Sequence, residues 1–301
     1  MKTTQKNKNK RIRENEFVTS YKYGHTIELS NVLGGNPIMK KIDKDRMVNT
    51  ITGEIVEVEH AKNRADPKNK ESLRQTFKRL RRLIGTNFTG GNNELWVTLT
   101  YSFDDYFNSG KKEPMNDGKK LFEDFKYFIK KLRNYFGKYL GYIAVAEPQG
   151  NSAWHLHILL KTLDKTTLYI PNKVLADLWG HGFVNVKRLK ESDKVASYLM
   201  AYLSNIDLNN LNGNFENDEN KPKRIVKGGR LSLYPMHFRI YRTSRLGIKK
   251  PTKIKATANE VKNIYGISEH TEPEFFKTSE IKRNDKSFEV TTEYYNFDEK
   301  I

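Results

Sequence analysis

The chain first becomes regular at Phe17, Thr19, Tyr21 and Tyr23, then at Ile27 and Leu29, a period of two that predicts short strands between residues 17 and 30. The next forty residues mix Gly, Asn, Pro and charge, and no period organises them. From Ser72 onward, Leu73, Phe77, Leu80 and Ile84 recur at spacings of three and four, which predicts a helix with one apolar face. Trp96, Thr98 and Thr100 alternate with Val97, Leu99 and Tyr101, the pattern of a strand covered on both sides. A second helix is expected over 117–136, with Leu121, Phe125, Phe128 and Leu132 on its stripe. Strands over 139–147 and 153–161 are joined by Pro148-Gln149-Gly150-Asn151, a hairpin signal. A short helix over 172–179, a strand over 183–188 and a helix over 192–204 capped by Ser192 follow. After the Asn-rich stretch 205–220, residues 230–241 alternate again and predict one more strand. Strand, helix, strand, strand, helix, strand, helix is the order of an α+β sheet domain.

Charge narrows the class of partner. The 301 residues carry 54 Lys+Arg against 36 Asp+Glu, a net charge of +18, which favours a polyanion, with nucleic acid ahead of an acidic membrane surface. The longest apolar stretch, around 139–146, is far short of the roughly 18 residues a spanning helix needs. The Lys-rich N-terminus is not followed by an apolar signal region, so a soluble, cytoplasmic protein without a membrane partner is expected. With no cysteine there is no disulfide, thiolate metal site or cysteine nucleophile, and any metal must be held by His, Asp, Glu or amide oxygens. No phosphate-cradling G-x-x-x-x-G-K-[ST] occurs, which argues against a nucleotide-driven motor, and no residue is assigned to an organic cofactor.

The cations gather in three places. One is a basic arm at the extreme N-terminus; another is the helix from Ser72, where Arg74, Lys78, Arg81 and Arg82 crowd the polar surface. The third is the run Arg242, Arg245, Lys249 and Lys250. These are the candidate DNA contacts, although a solvated charged face is the ordinary role of such a helix. The expected organisation is a basic arm with an irregular extension over 1–70 and a core over 71–205. A loop, one strand and a basic segment over 206–254 and an acidic peripheral extension over 255–301 complete it.

Chemistry concentrates in Trp154-His155-Leu156-His157-Ile158. On a strand, His155 and His157 project from the same face, one pleat apart, and form half a metal site. Paired strand histidines also serve simply as hydrogen-bonded residues. Glu147 closes the preceding strand of the hairpin and can stand across from both. One carboxylate with two imidazoles suits Mn²⁺ or Mg²⁺ and leaves coordination positions for a phosphate oxygen. Tyr198 and Tyr202 are four apart on the helix over 192–204, so they share a face, and Lys194 lies four residues before Tyr198. Two rim tyrosines that merely pack are the plain alternative. A phenol with a pKa near 10 attacks a phosphodiester only when a base, a cation or an activated electrophile assists it.

Together these residues resemble the HUH endonucleases, and among them the rolling-circle replication initiators of Gram-positive plasmids and integrative elements. The resemblance rests on Trp96-Val97-Thr98-Leu99-Thr100-Tyr101, on Glu147 with Trp154-His155-Leu156-His157, and on Tyr198-Leu199-Met200-Ala201-Tyr202, in the family's order. Leu178-Trp179-Gly180-His181-Gly182-Phe183-Val184 and Tyr241-Arg242-Thr243-Ser244-Arg245 add support, and coverage runs from about 72 to 251. The resemblance implies a central antiparallel sheet flanked by helices, related to the RRM and ferredoxin-like folds, with N- and C-terminal extensions. It further implies a divalent metal on His155, His157 and Glu147, and nicking of one origin strand by Tyr198 or Tyr202. The product is a 5′-phosphotyrosine with a free 3′-hydroxyl, later religated. Origin DNA, single-stranded or extruded as a hairpin, would be the substrate in a bacterial cytoplasm. A host helicase and DNA polymerase would be partners, and a dimer is one candidate assembly. Many members carry a Lys three residues after a motif tyrosine; here Ala201 and Asn205 stand there, so Lys194 is the candidate replacement. His181 is read as structural or DNA-contacting. The alternatives are a conjugative or mobilisation relaxase with the same chemistry, and a non-catalytic single-stranded nucleic-acid binder that forms no covalent product.

Overall fold

The computed structural model describes residues 11–31, 39–61, 66, 69–102, 115–149, 153–189, 233–268, 270–283 and 286–296. The elements run in chain order β1 Phe17–Tyr23, β2 Thr26–Ser30, β3 Met39–Lys41, β4 Arg46–Asn49, β5 Ile55–Glu57, α1 Lys70–Asn87, β6 Glu94–Thr100 and α2 Gly118–Phe136. There follow β7 Leu140–Pro148, β8 Trp154–Thr162, α3 Asn172–Trp179, β9 Val184–Arg188, β10 Tyr241–Thr243, β11 Thr252–Thr257, α4 Ala258–Ile264, β12 Phe275–Arg283 and β13 Lys286–Asn296. Three antiparallel sheets and four helices among the described residues make this an α+β fold, as the sequence predicts. None of these helices is long and apolar enough to cross a membrane. The chain divides into two compact units, one built from Met1–Glu59 with Lys250–Ile301 and one from His60–Lys249.

In the unit His60–Lys249, the strands stand in the order β10-β7-β8-β6-β9. Its β6-α2-β7-β8-α3-β9 succession, with β8 and β6 in the middle, is the split βαβ arrangement of ferredoxin-like domains, with β10 added at an edge. Asp117 starts α2 by accepting hydrogen bonds from the Lys119 and Lys120 amides, and Gly137, at φ 64°, ends it. Six α2 side chains are buried: Leu121, Phe122, Phe125, Phe128, Ile129 and Leu132. At roughly 1.5–3 kcal/mol each, their burial contributes on the order of 10 kcal/mol before chain entropy is subtracted. Leu73, Phe77, Leu80 and Ile84 of α1 join the same core, on the spacing that predicted the helix.

Over 233–241, the described part of the strand expected at 230–241, a continuous strand is not what forms. Residues 233–240 are turns, with His237 at φ 61°, and the strand β10 is confined to 241–243. Pro235 cannot donate to a ladder, and the apolar alternation has another use. Tyr234 and Phe238 pack against Trp154, with ring centroids 5.6 and 4.6 Å away, and the Tyr234 hydroxyl donates to the Ala146 carbonyl at 2.8 Å. Trp154 is thereby sealed beneath the hairpin; its indole N–H donates to the Asn116 carbonyl at 2.8 Å.

The other unit joins the two ends of the chain. Its five-stranded sheet has the order β11-β1-β2-β13-β12, so strands from the first thirty residues hydrogen-bond to strands beyond residue 250. Val18, Ile27, Leu29, Val261 and Tyr295 form its core. Glu293, fully buried, accepts from the Arg11 Nε at 2.7 Å, the Ile12 amide at 2.9 Å and the Tyr295 hydroxyl at 2.7 Å. Burial, reinforced by that carboxylate, pushes the Tyr295 phenol above its usual range. A capping box between Thr257 and Glu260 opens α4. A separate three-stranded sheet, β3-β4-β5, organises part of the stretch in which the sequence shows no period.

Gly182 fixes how β9 meets β6. It stands at φ 139°, and a Cβ there would lie 2.6 Å from the Thr100 carbonyl oxygen and closer still to the Ser102 amide nitrogen. These are backbone atoms already tied by Ser102 N–H to His181 O and Thr100 N–H to Phe183 O, both at 2.8 Å, so they cannot yield. Gly182→Ala is therefore expected to destabilise the protein by about 3 kcal/mol or more in urea unfolding. Gly137→Ala, with open space around its Cβ, should cost only about 1 kcal/mol.

Candidate functional site

The site is created by the register of three strands. In the hairpin β7–β8, Glu147 pairs with His155 and Val145 with His157; on the other side of β8, β6 sets Thr98 opposite His157 and Thr100 opposite His155. Directly paired residues in an antiparallel sheet share a face, so Glu147, His155, His157, Thr98 and Thr100 all emerge on one side. Leu156, Ile158 and Leu160 point to the other side, into the core under α2.

Within this cluster, His157 Nε2 lies 2.9 Å from a Glu147 oxygen, and its Nδ1 lies 3.3 Å from the Thr98 hydroxyl. The His157 side chain is 7 % exposed and that of Glu147 12 %, so the pair sits mostly out of water while His155 is half-buried beside it. The His155 and His157 rings are 6.2 Å apart, nearly perpendicular at 85°. Thr98 is held in turn by the Trp96 indole N–H at 3.2 Å, and Trp96 packs edge-on against His157 at 5.7 Å.

The Thr98 hydroxyl decides what the His157 ring can do. An indole N–H only donates, so Thr98 accepts from Trp96 and still has one proton and one lone pair available. If Thr98 donates to Nδ1, the proton of neutral His157 sits on Nε2 and points at Glu147. If Nδ1 donates to Thr98, the Nε2 lone pair faces outward, which is the form a metal requires. The same geometry serves both tautomers.

The donor set thus matches a divalent ion in kind: two imidazoles and a carboxylate on one sheet face, with a hydroxyl behind one imidazole to orient it. As it stands, Glu147 and His157 hydrogen-bond to each other. Among the described residues no three His, Asp or Glu side chains are already disposed around a common ion position, so an ion would take the place of that hydrogen bond.

Beside the cluster, Asn185 pairs with Thr98 and Lys187 with Trp96 on the edge strand β9, which puts both on the same face. Both are exposed, and Phe183 next to them is 74 % exposed. This amide, cation and aromatic flank was missed in the sequence, where the only available signal was the i, i+2 spacing of 183, 185 and 187.

The remaining expected residues fall as follows. Lys194, Tyr198 and Tyr202 lie outside the described residues. His181 belongs to the α2 side of the sheet, 3.8 Å from Asp124 and packed against Trp179 and Tyr101, with ring centroids 4.9 and 5.7 Å away. On α1, Arg74 is exposed and pairs with Glu71 at 3.3 Å; Lys78 and Arg81 are half-buried; Arg82 is only 8 % exposed. The Asn87 side chain clamps the Lys249 backbone through bonds of 2.8 and 2.7 Å, and Lys161 donates to the Asn87 carbonyl at 2.9 Å. Burial holds the Lys161 ammonium below the usual lysine range, with Lys249 adding to the shift and Glu94 opposing it. Arg245, Lys249 and Lys250 are exposed. Arg242 pairs with Ala144 and stacks on Phe122, which places it on the face opposite the histidines.

Residues 94–207 match the family model for the replication-associated protein ORF2. That match makes this segment of the chain similar to the replication-associated proteins. It is consistent with a rolling-circle replication initiator, and it covers just over a third of the chain, from the first residue of β6 past Tyr202. Glu147, His155 and His157 all lie inside the matched segment. No curated protein and no solved structure matches the chain.

Thr98→Val preserves shape but removes the hydroxyl shared by Trp96 and His157. It is expected to lower stability by roughly 1–3 kcal/mol in denaturant unfolding and to shift the ¹⁵N resonances of the His157 ring, which report its tautomer. Unchanged ring resonances would show that Thr98 does not set the tautomer.

Proposed function

We propose that this protein is a replication-associated protein that nicks one strand of origin DNA by tyrosine attack and so starts rolling-circle replication. The observation that carries the reading is the strand register that sets Glu147 and His155 across from each other with His157 bonded to Glu147, all on one sheet face inside the family segment.

In this reading Glu147, His155 and His157 hold Mn²⁺ or Mg²⁺, which when bound would draw charge from a non-bridging phosphate oxygen. Thr98 keeps the His157 Nε2 lone pair turned outward. Lys187 and Asn185 meet the phosphates of the strand lying over β9, and Phe183 offers a ring for a base. The Tyr198 or Tyr202 hydroxyl gives its proton to water and attacks phosphorus. The P–O3′ bond breaks, leaving a 5′-phosphotyrosine and a 3′-hydroxyl that takes up a proton. That hydroxyl primes the host polymerase behind a host helicase, and attack by the freed 3′-hydroxyl reverses the link and religates the strand. The protein would work in the bacterial cytoplasm.

With Mn²⁺ and single-stranded origin DNA, the protein is expected to yield an adduct that survives SDS. His157→Ala and Glu147→Ala should lower its rate of formation about 100-fold or more. Tyr198→Phe and Tyr202→Phe, tested singly and together, assign the nucleophile. An adduct retained in the double variant, or unchanged in His157→Ala, would refute the mechanism. DNA binding with no adduct on any origin would leave a non-catalytic binder.

A further inference from the structure

The face of the sheet away from the histidines carries a second feature. Between α2, the start of β7 and the edge strand β10 lies a groove of about 950 Å³, in the range of built ligand sites. Its charge is one-sided: Lys126, Lys130, Arg133, Lys138 and Arg242 line it, and among the described residues no Asp or Glu does. Lys126, Lys130 and Arg133 follow one another at spacings of four and three, one row on α2 that extends about 10 Å at 1.5 Å per residue. Lys138 is paired, to Asp164 at 3.2 Å; the other four carry no carboxylate partner among the described residues.

Two of these cations lie against aromatic rings. The Arg133 Nε is buried with no hydrogen-bond partner, and its guanidinium lies 5.1 Å from the centre of the Tyr139 ring. Arg242 stacks 3.7 Å above Phe122, and burial together with nearby Arg239 holds it below the usual arginine range. A buried guanidinium donor without a partner, with a second guanidinium held against a ring nearby, favours an incoming anion. The rims are aromatic: Tyr127 is 64 % exposed and Tyr139 59 %, while Tyr142 forms part of the floor, edge-on to Phe125 at 5.1 Å.

A row of cations between exposed phenol rings fits a chain that alternates phosphates with flat bases, and the bases are free to stack only when unpaired. We propose that this groove is a second binding site for single-stranded DNA, on the side of the sheet opposite the histidine cluster. The choice of DNA over RNA rests on the replication-associated match. The site itself needs no nicking, because it shares no residue with the histidine cluster. A strand held there would be retained while the other face carries out chemistry.

The test uses the full-length protein in chelator, so no adduct can form, with fluorescent oligothymidylate read by anisotropy across a salt series. Lys126→Glu with Lys130→Glu, both exposed on α2, should weaken binding at least about 10-fold and flatten the slope of log K against log salt by about 1.4, near 0.7 per lost phosphate contact on a single strand. Tyr127→Leu, which leaves the charge intact, should weaken it roughly 5-fold. In the unmodified protein, iododeoxyuridine oligonucleotide should photocrosslink to the peptide holding Tyr127 or Tyr139. Crosslinks confined to other peptides, unchanged binding in folded variants, an equal loss on duplex DNA, or binding of oligouridylate as tight as oligothymidylate would each overturn the proposal. Because no metal and no nick are involved, these outcomes are separate from the fate of the nicking reaction.

Discussion

The register of β8 between β6 and β7 is the constraint on which both faces of this sheet depend. Side chains alternate along a strand, so a slip of one residue would carry His155 and His157 under α2 and expel Leu156, Ile158 and Leu160 onto the polar side. Exposing three such side chains costs roughly 5–9 kcal/mol, comparable to the whole stability of a domain. The apolar core therefore aligns the polar cluster, and Glu147 meets His157 at 2.9 Å because the leucines opposite are fully packed. Gly182 extends the same control to the edge, where only a residue without Cβ lets the backbone of β9 approach β6.

Charge is divided between the two faces. The histidine side holds a nearly dry carboxylate–imidazole pair with the exposed Lys187 at its edge. On the α2 side, Arg242 and the α2 lysines line a groove without acids among the described residues. A surplus of +18 spread evenly would attract any polyanion without orienting it. The five cations that share one groove with tyrosine rims give the proposed site a way to tell an unpaired strand from a duplex, by stacking as well as by charge.

Much of the sheet was legible in the sequence because its signals are local. The stripe of α2, the paired strands β7 and β8 and the short helix ending at Trp179 all announce themselves locally, and the structure places them within a residue or two of expectation. Glu147 beside the histidines was legible too, since a hairpin fixes who stands opposite whom. The Thr98 bridge was not, because it depends on which strand flanks β8 on its far side. Residues 230–241 misled because alternation reports side-chain polarity and not backbone pairing: Tyr234 and Phe238 are apolar in order to seal Trp154. The pairing of β2 with β13 spans more than 250 residues and has no local signature at all. Arg82 looked like its basic neighbours, and only packing shows that it is buried.

The central claim is that the face bearing Glu147, His155 and His157 is where a divalent ion and a phosphodiester meet. Its most direct test is an anomalous difference map from a crystal of the full chain grown with Mn²⁺. The account predicts one strong peak within bonding distance of both imidazoles and the Glu147 carboxylate, with the Glu147–His157 hydrogen bond opened. A map in which that bond stays closed at saturating Mn²⁺, with manganese elsewhere or absent, would contradict it.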